Sequence, residues 1–138
     1  MHVWGMGFMF GRDDDRSGNF LDSGTAVIGW SMEDAPDLFA MLREVNLGDV
    51  LYLKTFGIRK QEVRVWHIGK VISTLNLVDN GTKYALGMKW VKSFDEPITL
   101  SLREQKYTGK NNVYNNTFYR EYNPGIIQNI LQHIDYPI

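Results

Sequence analysis

The chain has 138 residues, 43% of them hydrophobic and 22% charged, with a formal net charge of −1. That length and apolar share fit one domain over residues 1–138 with one core. The near-neutral charge excludes a general nucleic-acid coat, which needs a basic surplus against phosphate, and the absence of cysteine excludes disulfides and thiolate metal centres.

Val3 to Phe10 reads as a strand, interrupted by Gly5 and Gly7, where a bulge or the close approach of another group is expected. Gly11 to Asn19 reads as a polar loop. Its adjacent carboxylates, Asp13 to Asp15, do not have the alternate spacing of an EF-hand, so a solvated loop is expected. Thr25 to Trp30 is a second strand. Asp34 as N-cap and Pro36 in the first turn open a helix of about three turns, with Leu38, Phe39, Leu42 and Val45 on one face. Gly48 stands where a helix commonly stops.

Val50 to Phe56 is a strand that is apolar on both faces, and Gly57 to Glu62 is a charged turn. Val63 to Ser73 is a long strand. Asp79-Asn80-Gly81-Thr82 is a hairpin signal, because Asn-Gly accepts positive φ. Lys83 to Val91 returns as its partner, and Ile98 to Arg103 is a further strand. Gln105 to Asn116 reads as a polar loop and Thr117 to Tyr122 as a short strand. Asn123-Pro124 opens a last helix with Ile126, Ile127, Ile130, Leu131 and Ile134 on one face. Many strands with few helices point to a small curled sheet or barrel with the helices on its flanks.

Catalytic motifs are not legible. His2, His67 and His133 lie far apart, so no metal site and no metal cofactor is expected. No serine has a nucleophile-elbow context, and no glycine run matches a phosphate-binding or dinucleotide fingerprint. No apolar run is long enough to span a bilayer, and the first residues do not read as a secretory signal. A cytoplasmic location without a membrane partner is therefore expected. The aromatic share of 13%, with four Trp and seven Tyr, exceeds what a core of this size needs. Trp4, Trp30, Phe56 and Trp90 fall at strand ends beside glycine, polar residues or lysine. Rings so placed can line a slot for a planar heterocycle, each stacked base gaining roughly 1–3 kcal/mol.

The order of motifs resembles the EVE-like branch of the PUA-like superfamily, closest to the reader domains of McrBC-type restriction systems. The matching segments are Trp4-Gly5-Met6-Gly7, Ile28-Gly29-Trp30, Leu47-Gly48-Asp49-Val50-Leu51-Tyr52-Leu53-Lys54, His67-Ile68-Gly69-Lys70-Val71, Leu86-Gly87-Met88-Lys89-Trp90 and Asn116-Thr117-Phe118-Tyr119-Arg120. The resemblance implies an α+β, mostly-β pseudo-barrel of five or six strands with two or more peripheral helices. It also implies a non-catalytic pocket for a flipped, often modified base of DNA or RNA. Carried over by position, Trp4, Trp30 and Phe56 are wall residues, and Gly5 and Trp90 are further ligand-binding candidates. Ser31, Lys54 and Thr55 read the base edge, and Asn116 and Tyr119 close the pocket. Arg59, Lys60, Arg64 and Lys110 are the candidate phosphate contacts.

The low charge turns the expectation away from duplex DNA and toward a single strand or a free nucleotide, as in a sensor subunit or a phage-encoded sponge against a defence system. A protein-interaction subunit, with the loop from Asn111 to Asn116 meeting an effector partner, is a further reading. The related ASCH branch includes hydrolases, for which Lys54-Thr55 with Glu62 or Glu104 would be the counterpart.

Overall fold

A computed structural model of the chain describes residues 1–9, 14–57, 59–78, 81, 83–107 and 118–134. The fold is α+β and mostly β, one curled six-stranded sheet with short helices against it. The strands are β1 (Val3–Gly7), β2 (Thr25–Ile28), β3 (Val50–Gly57), β4 (Glu62–Val78), β5 (Lys83–Ser101) and β6 (Phe118–Arg120). Their spatial order is β2-β5-β4-β3-β1-β6. The helices are α1 (Ser17–Ser23), α2 (Pro36–Leu42) and α3 (Pro124–Gln132), with a 3-10 turn at Gln105–Tyr107. None of the described helices is long and apolar enough to cross a membrane.

β1 runs parallel to β3, from Val3 opposite Val50 to Gly7 opposite Lys54. Every other pairing is antiparallel. A parallel pair needs a long crossover, and the chain between β1 and β3 supplies it with α1, β2 and α2. The long strands β4 and β5 shift register at four places. Extra residues on one strand bend it and increase its twist, which curls the sheet.

Side chains alternate across a strand with period two, and here both faces are covered. On the first face, Trp4, Met6, Leu51, Leu53, Leu86 and Met88 pack with Phe20 of α1 and with Phe39 and Leu42 of α2. On the second, Val3, Val50, Tyr52, Val63, Val65 and Tyr119 pack with Ile126, Ile130 and Leu131 of α3. Burying each such aliphatic chain contributes about 2 kcal/mol. Asn123 starts α3 as expected. Its side chain accepts from the amides of Gly125 and Ile126 at 3.0 and 3.2 Å and donates to the Tyr107 carbonyl at 3.0 Å.

Several elements differ from the sequence expectation. The polar stretch ending at Asn19 runs into α1, a helix with little apolar periodicity, whose buried residue is Phe20. The second helix is two turns long and follows Ala35 without a side-chain cap, and the Asp34 amide donates to the Ser31 hydroxyl at 3.1 Å in the turn before it. Val45 lies beyond that helix yet still reaches the same core. The two strands expected over 83–103 are one. Ser93 pairs with His67 and Ile98 with Val65, so Phe94 to Pro97 bulge out of the ladder without ending the strand. β4 and β5 meet at Val78 opposite Lys83, as a hairpin requires. Gly81 there has φ of 82°, while Asp79, Asn80 and Thr82 lie outside the described residues.

One carboxylate ties the start of β1 to the entry of β3. Asp49 accepts from the His2 amide, the Asn46 amide and the Trp4 indole N–H, each at 2.9 Å. Burial pushes the Asp49 carboxyl upward, but the three donors outweigh it and hold it below its ordinary value. Asp49→Ala should cost about 3 kcal/mol in urea denaturation, because it leaves the buried Trp4 indole and two part-buried amides without their acceptor. The group is depressed in the folded state, so its contribution is complete above the unfolded value near pH ~3.9. It is lost as pH falls through the lower folded value, and the gap between wild type and variant should close there.

Candidate functional site

Gly5, Lys54, Phe56 and Tyr119 come together on the second face. Tyr119 of β6 lies opposite Gly5 of β1, and its phenol ring fills the space where any Cβ at residue 5 would stand. The close approach expected at this glycine is therefore the tyrosine ring. Lys54 of β3 lies one step along the sheet. The residue is only 8% exposed, and Nζ stands 5.5 Å from the centre of the Tyr119 ring. Burial lowers the Lys54 ammonium to about 8. Phe56, two residues on, shares that face and is half-buried against its core.

Beneath Lys54 runs a buried hydrogen-bonded chain. The Tyr52 hydroxyl donates to Glu121 Oε1 at 2.6 Å and meets the Tyr119 hydroxyl at 2.7 Å. Glu121 Oε2 accepts from the amides of Tyr122 and Asn123 at 3.1 and 3.2 Å. Burial raises Glu121, although these donors pull the other way. Burial also raises both phenols, Tyr52 with the added repulsion of Tyr119 and Glu121. With Tyr52 donating to Glu121, the Tyr119 O–H donates to Tyr52. The chain thus fixes the ring that carries Lys54.

The same end of β3 leads into a basic turn. Arg59 and Lys60 are exposed. Arg103 joins them, its guanidinium donating to the Arg59 carbonyl at 3.1 Å while the Leu102 amide donates to the Gln61 carbonyl at 2.8 Å. Arg64 differs from the phosphate-contact expectation. Its guanidinium is held by Glu62 at 2.6 Å, so its charge is offset. Glu104 lies 3.8 Å from Lys106. The local surplus is therefore Arg59, Lys60 and Arg103.

The remaining expected site residues are elsewhere. Trp4 is fully buried in the first-face core, stacked on Phe118 at 5.2 Å, with its N–H on Asp49. Trp90 is half-buried on that face, its N–H on the Phe20 carbonyl at 3.0 Å. Thr55 also points there and accepts from the Trp66 indole at 3.1 Å. Trp30 is 53% exposed beyond β2, at the opposite edge strand, next to the exposed Ser31. A single slot walled by Trp4, Trp30 and Phe56 is thus not formed, because Trp4 and Phe56 lie on opposite faces of one sheet. Asn116 and Lys110 lie outside the described residues.

Tyr52, Glu121 and Arg103 escaped the sequence reading. Tyr52 reads as one more apolar strand residue, and Glu121 has no periodic signal. Arg103 reaches Arg59 only through the β3–β4–β5 pairing. No group of three or more metal-ligand side chains occurs among the described residues. No family model and no curated protein sequence matches the chain.

A folded-state lysine depressed to about 8, against about 10.4 in the unfolded chain, opposes folding while it is charged. The unfolded chain then holds the proton that the folded chain has lost, so stability rises with pH across that window. Lys54→Met should therefore be more stable than wild type at pH 7, by about 2 kcal/mol. The gain should shrink as pH is raised from 8 toward 10, read by urea denaturation at each pH.

Proposed function

We propose that the chain carries, at the end of β3, a non-catalytic binding site for a nucleotide unit, either in single-stranded nucleic acid or free. The base lies against Phe56, the Lys54 ammonium donates to an acceptor on the base edge, and Arg59, Lys60 and Arg103 take the phosphates. The observation that carries this reading is the placement of one buried ammonium, one partly exposed ring and three exposed cations at the same end of β3. A base needs a π-face and a few directed polar groups, and its phosphate needs positive charge.

The near-neutral net charge favours a compact ligand over a long duplex, whose affinity comes mainly from many phosphate contacts. This agrees with the EVE-like resemblance in its general form, a planar heterocycle read by one domain. Keeping Lys54 charged at so buried a position is costly for stability, which supports a role for it beyond packing.

Fluorescence anisotropy with labelled single-stranded oligonucleotides, with and without modified bases, tests the reading alongside thermal shift with mononucleotides. Phe56→Ala should weaken binding about tenfold, the loss of roughly 1–3 kcal/mol of stacking. Three phosphate contacts on a single strand predict a log–log salt slope of about −2. Failure of every oligonucleotide and mononucleotide to bind would reject the reading.

A further inference from the structure

A second cluster lies on the first face, apart from the Lys54 site. His67 and Ser93 are direct partners across β4 and β5, and His67 Nδ1 is 2.9 Å from Ser93 Oγ. Two register shifts converge on this spot. The β3–β4 ladder slips at Leu53/Lys54, and the β4–β5 ladder slips at Val65/His67. Trp66 is the inserted residue of the first ladder, and in the second it faces the bulged residues Phe94 to Pro97. It packs on the first-face core, while its neighbour His67 meets the ring of Phe8, a residue of that same core. Irregularities of this kind re-aim side chains and collect beside active sites.

We propose that Ser93 and His67 form a nucleophile–base pair that accepts and releases an acyl group from small esters. Ser93 is exposed and His67 half-buried. Burial lowers His67, keeping it neutral near pH 7 as a base must be, and the charge of Asp15 partly counters this by favouring the protonated ring. Asp15 is itself fixed, accepting from the Ser17 amide at 2.8 Å and hydroxyl at 2.7 Å. It stands where an imidazolium formed during reaction would be stabilised.

The step balances without a cofactor. Ser93 Oγ bonds to the ester carbonyl carbon as its proton passes to Nδ1, the ring's other proton being on Nε2. The bond from carbon to the leaving oxygen then breaks, and His67 returns the proton to that oxygen. Water next adds to the acyl-serine and gives a proton to His67. The acid leaves, and Ser93 recovers its hydrogen.

A fluorophosphonate probe and p-nitrophenyl acetate, followed by peptide mass spectrometry, test the assignment on the intact chain. Adduct at Ser93 is expected, absent in Ser93→Ala. His67→Gln should slow it by about a hundredfold, the usual contribution of a positioned base. Both variants should keep the wild-type far-UV circular dichroism, since the residues are not in the sealed core. Labelling of Ser93 no faster than that of the exposed Ser31, or labelling indifferent to His67→Gln, would overturn the proposal.

Discussion

The parallel pairing of β1 with β3 is the constraint on which the rest of the structure depends. β1 lies between β3 and β6 and is buried on both faces. At one end the Asp49 carboxylate gathers Trp4 and two backbone amides. At its middle, Gly5 leaves room for Tyr119. Any side chain at residue 5 would push that ring away from Tyr52 and from Lys54. The pairing therefore sets the core of one face and the candidate site of the other.

From this follows a division of labour between the faces. Along β3, Leu51, Leu53 and Thr55 serve the first face, while Tyr52, Lys54 and Phe56 serve the second. A lysine at such a position would ordinarily be replaced by an apolar residue on stability grounds alone. Its presence, on a tyrosine locked by a three-member hydrogen-bonded chain, is a local inconsistency that the proposed binding role would account for. The basic turn at the end of the same strand adds long-range attraction where the short-range groups already lie.

Much of this was legible in the sequence where a single local rule decided the outcome. The Asn123-Pro124 start of α3 and the pairing of β4 with β5 across Gly81 depend on signals a few residues long. The strand of Val50 to Phe56 announced burial on both sides by its composition. What was not legible depends on partners far along the chain. Trp4 reads as a ring free to meet a ligand until Asp49, 45 residues away, takes its N–H. β5 reads as two strands because Asp95, Glu96 and Pro97 look like a break, whereas the ladder absorbs them as a bulge. α1 was hidden because only Phe20 is buried in it. Arg103 became part of the basic turn through sheet pairing, a relation no spacing rule expresses.

The central claim is that the C-terminal end of β3 is the ligand-binding surface. Mapping amide and lysine-methylene NMR shifts while titrating a short single-stranded oligonucleotide tests it most directly. The account predicts perturbations confined to Lys54, Phe56, the turn from Arg59 to Gln61, Arg103 and Tyr119, with Lys54 titrating at higher pH in the complex. Perturbations centred instead on Trp30, Trp90 or the His67–Ser93 pair, with Lys54 unmoved, would contradict it.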